Sequence, residues 1–455
     1  MEERSLSTSR RWTYALGNNG FFIAMTLYTI YPLAFMTAAL GMPFPRAVQI
    51  LSLTKLFDIV IGFFIGSIIE KVRMPWGKYR SWFLVGPIVA GVSTCLFFSP
   101  LLLNVPAVAL VPLGVVLLVV WNVISSIVLA CHNALNAVLI YNPMERLSVF
   151  KLSNQLQAVT GFVAGFFMMK IVFAVGGEQR INLLGMQVIG IIYSFLFFVL
   201  YLAFFINLRD YKDAETGWPQ KNSIVDTLKL LFTNGKIASL TISGMLGFSA
   251  ETFFKAVASY YFLYALFSAG VLDAFNWASV LAAFIGASLV MPLSKKTSKK
   301  SAYIIGYFVM GAALILSYFT SGTPYLSLLA ICIGFIGLNF PRSVLVPMYS
   351  DASDFTLHAA GKHIISHAMA LYMMTFKIAG LIAAQASGLL ARAGYVTGRD
   401  PTPEVSEGIR RVSTFGPAIF AIAGALVILI FYRLDENEIP AIQAEIRARA
   451  EKKGE

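Results

Sequence analysis

Seven ionisable side chains lie inside otherwise apolar stretches: Lys55, Asp58, Lys170, Glu251, Lys255, Arg342 and Lys377. An ionised group at the centre of a bilayer costs about 2.5 to 3.5 kcal/mol on insertion scales, so each marks a candidate functional position. Lys55 and Asp58 are spaced i, i+3 and Glu251 and Lys255 i, i+4, so each pair shares a helix face and can neutralise itself. A carboxylate that exchanges a lysine partner for H+ or Na+ links ion occupancy to solute occupancy, whereas a permanent pair is structural. Asp58 is the leading candidate for cation coupling. At about 1.5 Å rise per residue, Asp58, Glu251 and Lys377 stand roughly 18 to 23 Å along their helices, near mid-membrane. Lys170 lies nearer the outer end, where a lysine snorkels to the interface.

Setting Lys170 aside, Lys55, Lys255, Arg342 and Lys377 face only Asp58 and Glu251, a positive excess of two that invites a carboxylate or phosphate on the solute. His132 and Asn136, one turn apart, line a cavity or bond across helices. Asn18, Asn19 and Asn154 complete the substrate-binding candidates. His363 and His367 have the i, i+4 spacing of a metal pair, but no carboxylate completes a zincin pattern, so a surface or interfacial pair and no metal site is expected. No Walker loop, GxSxG or HExxH occurs, which argues against an enzyme, against ATP coupling and against any cofactor beyond the coupling ion.

The elements that must hold these residues are membrane helices. Hydrophobic residues make up 58% and charged residues 13% of 455, against about half and a quarter in soluble domains. With about 20 apolar residues per crossing, twelve segments are expected, near 13–38, 46–70, 82–100, 106–140, 153–175, 185–207, 236–267, 275–293, 302–320, 325–349, 363–392 and 412–433. The polar run DYKDAETGWPQKN falls between the sixth and seventh. The expected organisation is a six-helix half over 1–207, a cytoplasmic linker over 208–235, a second six-helix half over 236–433 and a cytoplasmic tail over 434–455. Basic runs recur at matching places, EKVRMPWGKYR and SKKTSKKS, as in repeated halves. Six plus six with such a linker fits the major facilitator architecture.

Among residues in the connections, 24 lysines and arginines fall on one side and only Arg46, Arg180, Arg399, Arg410 and Arg411 on the other. Basic loops stay cytoplasmic, so both termini are expected there, and the net charge of +12 needs no nucleic acid to explain it. Cys95, Cys131 and Cys332 sit in apolar runs as structural thiols. Gly62 with Gly66, and Gly161 with Gly165, are GxxxG packing pairs. The basic start, MEERSLSTSRR, precedes too long an apolar run for a signal peptide and is expected to remain.

The run LTKLFDIVIGFFIGSIIEKVRMPWGKYRSW, with YALGNNG, Glu145 and Arg146, MYSDASDF, Lys377, and Gly394 with Tyr395, resembles the glycoside-pentoside-hexuronide:cation symporter family, that of the melibiose permease. The resemblance spans nearly the whole chain. It implies symport of a solute with Na+, Li+ or H+ by alternating access, with Asp58 at the cation site and Lys377 close to it. It also implies gating-loop residues Trp76, Gly77, Lys78, Arg80, Asp351 and Asp354. Where the family has a second acidic residue one turn after Asp58 this chain has Gly62, which favours a proton over sodium. Where sugar-transporting members have an aspartate in the first segment, Phe21 and Phe22 stand here, the fifth-segment arginine aligns with Asn154, and no fourth-segment aspartate is present.

The expectation is an all-α, multi-pass transporter of the cell (inner) membrane. It carries a small, anionic organic solute, such as a sugar acid or glycoside, with H+ or Na+, surrounded by lipid and acting as a monomer. A lysolipid transporter of the same fold stands as the alternative, with a non-transporting membrane sensor behind it.

Overall fold

The computed structural model describes residues 7–62, 64–72, 74–140, 142–177, 182–209, 232–362, 364–395 and 401–454. Much of the expected linker, and with it Lys212, Lys221 and Lys229, lies outside the described residues, as do Arg73, Arg180, His363 and Arg399. Helices account for every expected segment. They are α1 (Thr8–Ile30), α2 (Phe44–Gly62), α3 (Ile65–Lys71), α4 (Trp82–Phe97), α5 (Ala107–Leu139), α6 (Pro143–Gly176) and α7 (Leu183–Asn207). After these come α8 (Gly235–Tyr260), α9 (Ala269–Lys296), α10 (Lys299–Phe319), α11 (Pro324–Ala360), α12 (Ile365–Ala384), α13 (Ala386–Arg392), α14 (Pro403–Phe431) and α15 (Ile439–Gly454).

Polar caps set where helices begin. Asn182 accepts from Gly185 N, Asn234 from Lys236 N and Ile237 N, Ser298 from Ser301 N and Thr402 from Val405 N, each satisfying amides that the first turn leaves open. Asn142 Oδ1 accepts from Met144 N at 2.9 Å, and Pro143 comes next, so α6 begins before the expected 153. α11 runs past the expected 349 because nothing breaks it before Gly361, a left-handed C-cap at φ +64°. This corrects one expectation: Asp351 and Asp354 sit on a helix, not in a loop.

Two expected segments are broken. The second turns by 54° between 49–62 and α3, and the eleventh divides at Gln385 into α12 and α13. α8 runs on into a short π-helical segment, Tyr261–Ala265, whereas α1 stops at a bend at Tyr31 and a short helical turn, Pro32–Ala34, leads into a matching segment, Phe35–Ala39. Among the described residues eight helices are long and apolar enough to cross a membrane, or nine with the bent pair counted as one span.

The chain forms two compact units, Met1–Ile140 with Leu156–Ile224, and Tyr141–Gln155 with Val225–Glu455. In the first, α1 packs on α7, α4 on α5 and α7, and α2 on α5. In the second, α8 packs on α14 and α12, α10 on α11 and α14, and α9 on α11. Apolar side chains fill both interiors, with Phe83, Phe97 and Ile189 buried in the first and Phe254, Leu314 and Val344 in the second.

Candidate functional site

In the second unit Glu251 is buried with its side chain only 6% exposed, yet it holds two cations. Lys255 Nζ donates to Glu251 Oε1 at 2.7 Å from one turn further along α8, and Arg342 Nη1 reaches the same oxygen at 3.2 Å from α11. The cations are 53% and 25% exposed, so the carboxylate lies at the base of the group and the positive charge at its rim. Asn154 Nδ2 donates to Ser343 Oγ at 2.9 Å, which places it next to Arg342 in sequence on α11. Beside this group Phe248, Phe376 and Tyr372 form an aromatic wall, with ring centroids 4.0 and 5.2 Å from Phe376, and Lys377 is half-buried on α12.

A second charged group in this unit is more deeply enclosed. Arg146, 1% exposed, places Nη1 3.3 Å from Asp351 Oδ1 and 2.8 Å from Asp354 Oδ2. Lys299 Nζ pairs with Asp351 Oδ2, and Gln443 Nε2 donates to Asp354 Oδ2 at 2.9 Å. Two buried cations thus match two aspartates, as buried charge requires. Glu436 accepts from Lys299 N at 2.9 Å and Lys300 N at 2.7 Å, placing a negative charge on the first turn of α10.

In the first unit the basic loop after α3 grips its neighbours. Lys78 pairs with Glu70 at 2.5 Å, Arg80 Nε donates to Phe205 O at 3.1 Å at the end of α7, and Trp76 meets the Phe205 ring edge-on. Gly77 turns the loop at φ +101°. Asn19 bonds Ala15 O at 2.7 Å and receives Thr160 Oγ1 at 2.6 Å, while Asn18 is buried.

Two expectations are corrected here. Lys55 does not neutralise Asp58: it lies on the exposed side of α2 with Leu56 and Val60, and no ion pair joins it to the half-buried Asp58 among the described residues. His132 neither lines a cavity nor bonds across helices. It is fully buried against Tyr14 (centroids 3.9 Å), Phe204, Phe83 and Tyr201, and neither ring nitrogen meets a hydrogen-bond partner among the described residues. Asn136, one turn further along α5, is equally buried.

A family model described as MFS/sugar transport protein matches residues 13–436. The chain belongs to that family. It is similar to the uncharacterized symporter YjmB of Bacillus subtilis strain 168, at 23% identity over 98% of this chain and 97% of the relative. It is also similar to the glucuronide carrier protein homolog of Escherichia coli strain K12, at 23% identity over 96% and 94%. The crystal structure of a bacterial homologue of the iron transporter ferroportin, in its outward-facing state, superposes with TM-score 0.70 at 12% identity over 94% of this chain and all of that one. The protein is therefore a multi-pass membrane transporter of the major facilitator fold and not an enzyme, and its resemblance to the glycoside-pentoside-hexuronide symporters holds.

The residue this transporter's sequence made hardest to place was Arg146. Its two aspartates lie more than 200 positions away, and only the ER pair at 145–146 hinted at it. Lys299 belongs to the basic run SKKTSKKS between helices, yet its side chain is buried.

Proposed function

We propose that this chain is a secondary active transporter that carries a small, anionic, sugar-type solute, such as a sugar acid or glycoside, together with H+ or Na+. It works as a monomer by alternating access in the cell (inner) membrane, through twelve crossings in two six-helix halves with both termini cytoplasmic. The observation that carries the anionic solute is the single carboxylate of Glu251 beneath two cations, Lys255 and Arg342, at 2.7 and 3.2 Å. When both cations lean on one acid, the group keeps one unmatched positive charge, and an anionic solute supplies the counter-charge at the exposed rim. The similar glucuronide carrier protein homolog supports this choice of solute class.

Asp58 and Lys377 are the proposed cation-coupling residues. Gly62 one turn beyond Asp58 leaves a single carboxylate there, which favours a proton, because Na+ takes several oxygen ligands. The matching helix neighbours in the two units, α1 on α7 and α8 on α14, support the two-half arrangement.

The test is uptake into proteoliposomes under an imposed Na+ or pH gradient, with methyl β-glucuronide compared against methyl β-glucoside. Concentrative uptake of the glucuronide that the glucoside barely inhibits is the expected result. Equal inhibition by the two sugars refutes the anionic part of the proposal, and inhibition by lysophospholipid alone favours a lipid substrate.

A further inference from the structure

The short helical turn Pro32–Ala34, which follows a bend at Tyr31 after α1, and α8 in the second unit both pass into a π-helical segment that ends in one shared and unusual way. Beyond α1, Leu40 N donates to Phe35 O at 3.0 Å and Met42 N to Met36 O at 2.9 Å, with Gly41 between them at φ +65°. Beyond α8, Leu266 N donates to Tyr261 O at 2.9 Å and Ser268 N to Phe262 O at 2.9 Å, with Phe267 between them at φ +51°. Phe35 and Tyr261, Met36 and Phe262, Leu40 and Leu266, Gly41 and Phe267, Met42 and Ser268 all stand 226 positions apart. The helix neighbours repeat in the same sense: α1 on α7 matches α8 on α14, and α4 on α5 matches α10 on α11.

π-helix accounts for well under 1% of residues, and it collects at functional positions. It recurs at one register in both units. Glycine adopts the left-handed turn freely at Gly41, but a side chain there is disfavoured about five- to thirtyfold, and Phe267 is the sole described non-glycine residue with positive φ. The Phe267 ring is 70% exposed, so its own packing does not explain the strain. Contacts that oppose the strain lie alongside: Tyr261 Oη donates to Ser317 O at 2.9 Å, and the Tyr260 and Tyr264 rings meet Tyr395 at 5.1 and 5.5 Å.

We propose that the two π-terminated turns are paired hinges of the transport cycle, and that Phe267, standing where the first unit has Gly41, loads the second hinge so that its π turn rewinds to α-helix in the alternate state. Rewinding removes one residue from the wide turn and rotates the chain beyond it by about 100°, since α-helix has 3.6 residues per turn. It thereby parts Tyr264 from Tyr395 and frees Phe267 from the left-handed region. Hinges are usually a few element-terminal residues of this kind. The inference rests on transport as such and on no choice of solute.

The test is a distance measurement between spin labels within the second unit, on Gly270→Cys and Gly322→Cys, where an added Cβ meets nothing within 4 Å. It is made on the full chain with Cys95, Cys131 and Cys332 replaced. Two distances are expected in the parent. Phe267→Gly shifts their ratio about five- to thirtyfold toward the form described here and raises the thermal midpoint, while Phe267→Ala, still strained, does neither. One distance in the parent overturns the hinge. So does a raised midpoint with an unshifted ratio, which would leave strain without motion.

Discussion

Glu251 Oε1 accepts from Lys255 Nζ at 2.7 Å across one turn of α8, and the acid is 6% exposed where the lysine is 53%. An i, i+4 pair of this kind on a surface helix contributes little, because water screens both partners. Here the acid is buried and also holds Arg342 at 3.2 Å. The pair is therefore one part of a three-charge group with an open positive side.

If that open side receives the solute, Arg342→Gln should raise the KM for a glucuronide by about ten- to a hundredfold, the worth of one charge-assisted hydrogen bond. Neutral glycoside inhibition should change by less than about threefold. Initial uptake rates across solute concentration decide it, and equal effects on charged and neutral sugars would show that Arg342 does not read charge.

Asp58→Asn should abolish accumulation against a gradient while leaving counterflow exchange measurable, because the solute groups lie on other helices. Unchanged concentrative uptake would remove Asp58 from coupling. Lys377→Leu should lower both, and a fully active, correctly inserted variant would show that this lysine is not used.

Removing one member of the enclosed network should destabilise the fold. Arg146→Gln leaves Asp351 with Lys299 but takes from Asp354 the cation it pairs with, which costs about 3 to 5 kcal/mol, the usual range for an uncompensated buried charge. Asp351→Asn should act similarly, and both should lower the thermal midpoint of the detergent-solubilised protein by several degrees. A midpoint indistinguishable from the parent's would mean that water enters the network.

His132→Phe should be tolerated or stabilising. The imidazole is fully buried among aromatic rings and both nitrogens lack a partner among the described residues, so the substitution removes the burial of about two polar atoms, each worth roughly 1 to 3 kcal/mol, and keeps a ring. A clear fall in the thermal midpoint would reveal a hydrogen bond or water that the histidine holds.

The fold was legible because lipid-facing helices announce themselves through long apolar runs, and each of the twelve expected segments falls on a helix. Helix ends were less so. Asn142 and Gly361 decide where α6 begins and α11 stops, and both lie in polar stretches that an apolar ruler discards. Within the site, Glu251 and Lys255 were readable as neighbours on one helix, whereas Arg342 joins them from α11 across 91 positions. Lys55 shows the converse limit: i, i+3 spacing permits a pair with Asp58, but the lysine is exposed where the aspartate is half-buried. The pairing of Arg146 with Asp354 spans 208 positions, and spacing along a single helix does not reveal it.

The carboxylate of Glu436 has a practical bearing on anyone preparing this protein. It bonds Lys299 N from 137 positions away, and Gln443 on the next helix holds Asp354. A shortened version ending at Tyr432 would look like harmless trimming of a polar tail, yet it would leave the Lys299 and Lys300 amides of α10 without their acceptor and loosen an aspartate in the enclosed network. Purification tags belong beyond α15, with the segment from Leu434 onward left intact.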